Sequence, residues 1–120
     1  MDGCVFCQIT AGAMPTALLY QDEWVTAFED IHPIAPVHFL VVPNRHIVSV
    51  NEVEAGDEGL LGRLVTVAKR LASQKGVQES GYRLVINTGP DSGQSVYHLH
   101  LHVIGGRKMP FRFDDSAQIR

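Results

Sequence analysis

A chain of 120 residues, 45% apolar and 19% charged, is sized for one domain with its own core, and the whole span 1–120 reads as that domain. A formal charge of −3 argues against a broad electrostatic surface for nucleic acid, so no nucleic-acid partner is expected. There is no run of about 18 apolar residues to span a membrane. The start, Met1-Asp2-Gly3-Cys4, has neither a leader's basic flank and apolar stretch nor a glycine at position 2, so a cytoplasmic location is expected.

In chain order, the first chemical feature is Cys4-Val5-Phe6-Cys7. A thioredoxin-like Cys-x-x-Cys follows a strand and opens a helix, and no strand is expected before this one. Two idle thiols are the plain alternative. Tetrahedral zinc would need two more ligands, for which His46 and His98 are available. Residues 24–28 read as a strand from their β-branched and aromatic content, and 38–42 as another, bounded by Pro36 and Pro43. Residues 30–36 between them are turn material, because Pro33 and Pro36 restrict themselves and the residues before them.

Over 57–75 the period becomes helical: Leu60, Leu64, Val67, Ala68 and Leu71 form a stripe widened by Leu61, Val65 and Ala72. Gly76 is placed to stop it. Residues 82–87 read as a strand, 88–95 as a glycine-rich loop and 97–104 as the last strand, closed by Gly105-Gly106. Several strands around one long helix, without room for repeated crossovers, indicate an α+β fold with a mainly antiparallel sheet.

That last strand holds three of the chain's six histidines. Alternation places His98, His100 and His102 on one face, roughly 6.7 Å apart, and turns Leu99, Leu101 and Val103 to a core. A half-exposed strand would be served as well by Thr, Lys or Glu, so the imidazoles point to chemistry. Two uses fit: a three-histidine metal site, or a division into nucleophile and proton donors.

The run Gly93-Gln94-Ser95-Val96-Tyr97-His98-Leu99-His100-Leu101-His102-Val103-Ile104-Gly105-Gly106-Arg107 closely resembles the histidine triad (HIT) superfamily, in particular its Hint-like branch of purine nucleoside phosphoramidases. The likeness continues through Ala27–Ile31, Ala35–Pro43 and Val85–Gly89, and covers roughly residues 4 to 108. It implies an about five-stranded, mainly antiparallel sheet with one long helix and a short N-terminal helix, paired as a two-fold homodimer. The tail 108–120 lacks the Trp-containing ending of the eukaryotic Hint proteins, which leaves the preferred leaving group undetermined.

The resemblance implies a purine nucleotide derivative as substrate, attacked at its α-phosphorus by His100 to give a covalent nucleotidyl-histidine. An imidazole nucleophile must be unprotonated, with its second nitrogen donating a hydrogen bond. His102 would stabilise phosphoryl oxygens, Ser95 would protonate the leaving group or bond a phosphate oxygen, and backbone N–H groups of Gly93, Gln94, Ser95 and Val96 would hold the anion. Asp30 would accept from the ribose hydroxyls; its plain reading is a turn residue. Phe28 and Ile31 would wall the base, and Asn87 would reach the phosphate or Ser95. His38 would stand behind the triad as a hydrogen-bond partner. Related proteins that keep the Cys-x-x-Cys use Cys4, Cys7, His46 and His98 equivalents for a structural zinc, which implies zinc as a staple here and no cofactor for the chemistry. A metal hydrolase using all three histidines, a regulatory nucleotide-binding protein with residual activity and a dinucleoside polyphosphate hydrolase are the rivals.

Overall fold

The computed structural model describes residues 3–110 and 119; most of the tail, 111–118 and 120, lies outside the described residues. A short helix α1 (Val5–Thr10) precedes β1 (Leu18–Gln21), β2 (Val25–Glu29) and β3 (Val37–Pro43). Two 3₁₀ turns lead into the long helix α2 (Glu58–Gln74), which is followed by β4 (Tyr82–Val85) and β5 (Leu101–Gly105). The five strands form one sheet in the order β1-β2-β3-β5-β4, and each neighbouring pair is antiparallel.

β3 lies at the centre, and its apolar run feeds two cores. Phe39 and Val41 face α2 with Val103, Leu99 and Leu101; Leu40 and Val42 face Phe6, Ile9 and Phe28 on the opposite side. A strand buried on both faces has no polar alternation to show, which is why 39–42 reads as a continuous apolar segment. On α2, Leu64, Val67, Ala68, Leu71 and Ala72 are buried, and each of the larger side chains contributes roughly 1.5–3 kcal/mol. The helix ends as expected: Gly76, at φ 78°, donates to Ser73 and Val77 donates to Ala72, which satisfies two terminal carbonyls. Gly106 closes β5 for two reasons: its φ is 87°, and an added Cβ would lie 3.0 Å from Pro36.

The α+β class, the antiparallel sheet and the long helix are as expected. β1 is an addition, a four-residue strand whose pairing with β2 is broken by a bulge between Leu18 and Tyr20. One boundary matters more. The last strand starts at Leu101, not at 97, so only His102 of the triad belongs to the sheet.

Candidate active site

The reason for that late start is Pro43. β5 pairs with β3 through Val37↔Gly105 to Val41↔Leu101, and two further steps would set Leu99 opposite Pro43. Proline has no N–H for the ladder, so the pairing ends. Upstream, the chain is held differently: Leu99 N–H donates to Ile47 O at 2.6 Å, and the His98 ring donates from Nε2 to Pro43 O at 2.8 Å. Alternation nevertheless persists. Leu99, Leu101 and Val103 stay in the core under α2, and the three imidazoles face α1, all buried.

The partners of the three rings assign each a different state. Because His98 donates through Nε2, its Nδ1 carries the lone pair, which faces Cys4 Sγ at 3.3 Å and Cys7 Sγ at 3.4 Å. His100 donates from Nδ1 to the carbonyl of His98 at 2.7 Å, so in the neutral ring the lone pair lies on Nε2. His102 is the reverse. Ile34 N–H donates to His38 Nδ1 at 3.1 Å, which leaves the His38 proton on Nε2, directed at His102 Nδ1 2.9 Å away. His102 then carries its own proton on Nε2. Each of these two rings is held through Nδ1, and the Nε2 atoms are buried with no hydrogen bond to the described residues. A nitrogen lone pair and an N–H donor thus stand side by side on rings whose centroids are 4.9 Å apart.

Asp30 sits beneath this pair. Its Oδ2 lies 3.4 Å from His38 Nε2 and 4.0 Å from His102 Nδ1, and its Oδ1 accepts from His32 N–H at 2.8 Å. The turn role and a site role therefore coexist. The triad rings do not converge on one point, which disfavours a three-histidine metal site.

The cysteines do converge. The Sγ atoms of Cys4 and Cys7 and the Nδ1 atoms of His46 and His98 all lie within 4.8 Å of one another. A zinc tetrahedron with bonds of about 2.0–2.3 Å has edges of roughly 3.3–3.8 Å. Cys4–His98, Cys7–His46 and Cys7–His98 are separated by 3.3, 3.2 and 3.4 Å. Burial pushes the His98 ring down to about 4, with His46 and His100 adding to the fall against the Pro43 carbonyl, so it is a neutral donor at pH 7. Burial and the adjacent Cys4 raise the Cys7 thiol to about 11, so a thiolate here calls for a cation among the donors. These four residues fit a tetrahedral metal of zinc's bond lengths.

The loop before the triad is shaped by Gln94. Its buried amide accepts from Gly89 N–H at 2.8 Å and donates to Val48 O at 2.9 Å and Val96 O at 3.2 Å. Gly93 and Gln94 N–H groups are used inside the loop, on Pro90 and Gly89 carbonyls. Of the four expected anion donors, the N–H groups of Ser95 and Val96 make no hydrogen bond among the described residues. Ser95 is exposed and lines a cleft of about 450 Å³ with Val96, Tyr97, Gly3, Cys4, Val5 and His46. Phe28 is buried edge-on against Phe6, Ile31 is 72% exposed, and Asn87 is half-buried just past β4.

The residue that sequence reasoning missed is Phe6. Fully buried, it packs edge-on against Phe28, His98 and His100 at centroid distances of 5.3, 5.9 and 5.1 Å. Its apolar partner Ile9 one turn later was the available signal.

The HIT domain family model matches residues 11–109. A purine nucleoside phosphoramidase of Escherichia coli K12 is 49% identical over 105 residues, 88% of each chain. Among solved structures, a HIT family hydrolase from Legionella pneumophila Philadelphia 1 superposes with a TM-score of 0.89 at 44% identity, covering 91% of this chain and 97% of that one. A HIT family hydrolase from Clostridium thermocellum gives 0.90 at 40% identity, with 93% and 97% covered. With a family match over residues 11–109, a shared fold and identities at this level over nearly the full length, the chain belongs to the HIT domain family.

Proposed function

We propose that this HIT-domain hydrolase cleaves purine nucleoside 5′-phosphoramidates, or related nucleoside 5′-monophosphate derivatives, at the α-phosphorus. The observation that carries the reading is the 2.7 Å hydrogen bond from His100 Nδ1 to the His98 carbonyl, which leaves the Nε2 lone pair as nucleophile. Nε2 attacks phosphorus, the P–N bond to the leaving group breaks, and the departing amine takes a proton from the Ser95 side or from water. Water then attacks the nucleotidyl-histidine, the P–Nε2 bond breaks, and the nucleoside monophosphate leaves with His100 restored. His102 Nε2–H donates to a phosphoryl oxygen throughout, as do the N–H groups of Ser95 and Val96.

Asp30 would accept from the ribose hydroxyls, Phe28 and Ile31 would border the base, and Asn87 would serve the phosphate end. Gly93 and Gln94 act by shaping the loop. The cleft beside Ser95 offers room for the leaving group. Cys4, Cys7, His46 and His98 would hold zinc, which when bound would cross-link α1 to the segments that follow β3 and precede β5, with no part in the phosphoryl chemistry. We place the protein in the cytoplasm as a homodimer: β4 is a sheet edge, its Leu84 and the following Ile86 are 39% and 37% exposed, and on α2 Val65 is 46% exposed.

The test is incubation with adenosine 5′-phosphoramidate and mass spectrometry for AMP and for a nucleotide adduct on His100. His100→Ala should form neither while still binding AMP; full turnover in that variant would remove the mechanism.

A further inference from the structure

The cysteine–histidine group and the nucleophile meet at one peptide plane. The carbonyl of His98 accepts from His100 Nδ1 at 2.7 Å, and the N–H of the same peptide, that of Leu99, donates to Ile47 O at 2.6 Å. Both anchors of the plane begin at a member of the group. His98 owns the carbonyl, and His46 directly precedes Ile47. The His98 ring is held at both nitrogens, by Pro43 O at 2.8 Å and by the two sulfurs at 3.3 and 3.4 Å. Phe6, flanked in sequence by Cys4 and Cys7, forms a third link through its edge contacts with the rings of His98 and His100.

We propose that Cys4, Cys7, His46 and His98, when they ligate a metal, act as a positioning device for the nucleophile. Ligation holds the 98–99 peptide plane, and that plane holds His100 in the Nδ1–H tautomer with its lone pair on Nε2. This rests on the reading that His100 attacks. If the plane rotates, the His98 carbonyl leaves Nδ1, and a buried N–H without an acceptor is costly. The ring then has reason to move its proton to Nε2, which abolishes the nucleophile. Nucleotide binding is affected far less, because the hydrogen bonds that hold Gln94 to Gly89 and Val48, and Asp30 to His32, involve none of the four ligands. The group is thus more than a staple for the N-terminus: its state is read at the reacting atom.

The experiment compares the parent protein with Cys4→Ser/Cys7→Ser and with His46→Gln, which leaves both cysteines and all three triad histidines in place. Val67→Ala, a core change under α2, serves as a control for loosened packing. Zinc content, Tm, kcat, AMP affinity and the His100 tautomer by long-range ¹H–¹⁵N correlation are measured on each. The parent should hold about one zinc per chain. The two ligand variants should lose zinc, show Nε2–H His100 in whole or part, and drop in kcat about tenfold or more, with AMP affinity changed far less. Val67→Ala should keep the Nδ1–H tautomer and its kcat while its Tm falls. A ligand variant that lacks zinc yet keeps both the tautomer and kcat overturns the proposal, as does a zinc-free parent with the Nδ1–H tautomer. The same tautomer change and kcat loss in Val67→Ala also overturns it. If the parent forms no adduct on His100, the catalytic reading fails instead, and the tautomer comparison still decides the coupling.

Discussion

His38→Phe removes the relay behind His102 while keeping a ring of similar size in a site where His38 is 1% exposed. Three polar groups lose a partner: Ile34 N–H, 3.1 Å from His38 Nδ1, and His102 Nδ1 and Asp30 Oδ2, 2.9 and 3.4 Å from His38 Nε2. The last two can re-pair with each other, so the loss of the acceptor for Ile34 N–H dominates and a stability loss of about 1–3 kcal/mol is expected. The functional effect follows from where His102 finds its next partner. Asp30 Oδ2 lies 4.0 Å from His102 Nδ1, close enough to capture a proton-bearing Nδ1 after a small shift. The ring then reverses its tautomer, and Nε2 changes from donor to acceptor opposite the phosphoryl oxygen. Loss of one such donor costs on the order of 10²–10³ in kcat, about 2.7–4 kcal/mol of transition-state stabilisation. Steady-state hydrolysis of adenosine 5′-phosphoramidate measures this, with AMP titration to show that the site still binds and urea unfolding to measure stability. A folded His38→Phe protein with kcat within about threefold of the parent would refute the relay.

Two other expectations concern the scaffold. Burial alone would raise the Asp22 carboxyl, but N–H groups of Val25 and Trp24, the Tyr20 hydroxyl and Arg63 hold it well below the usual carboxylate range. Asp22→Asn should therefore destabilise by about 1–2 kcal/mol at pH 7, the ion pair being discounted because the Arg63 side chain is 38% exposed. A carboxyl depressed on folding stabilises fully above its unfolded value near 3.8 and loses that effect as pH falls towards the folded one. Parent and variant unfolding curves in urea should thus converge below about pH 4; a constant gap down to pH 3 would contradict the assignment. Leu84→Glu should dissociate the proposed homodimer by placing a charge at the β4 edge patch, with little effect on the isolated fold because Leu84 is 39% exposed. Light scattering should report about twice the 13.2 kDa chain mass for the parent and the single mass for the variant.

Much of this site was legible because burial on two faces imposes alternation. Leu99, Leu101 and Val103 point to α2 and the histidines to α1, whether or not the residues belong to a ladder. The helix was legible for the same reason, through its stripe and the glycine stop. The end of the ladder was not, because it depends on Pro43 meeting Leu99 across a register that only the assembled sheet defines. Ring tautomers were equally hidden. They are set by Pro43 O, His98 O and Ile34 N–H, backbone atoms that every residue type carries. Phe6 carries no signal of its own in the sequence, because it lies inside a Cys-x-x-Cys whose spacing points to metal chemistry. Its ring is what brings α1 against His98 and His100.

The opposed tautomers of His100 and His102 also make the site a polarity filter for inhibitors. A compound that offers an acceptor oxygen to His102 Nε2 and an electron-poor centre to His100 Nε2 meets both rings as they stand. Vanadate or a sulfamate ester has that order of charges. A ligand of the same shape with an N–H at the oxygen position would face the His102 donor head-on, and binding it would require both His38 and His102 to exchange protons first. Discrimination among isosteres should accordingly follow the direction of one hydrogen bond more closely than molecular volume.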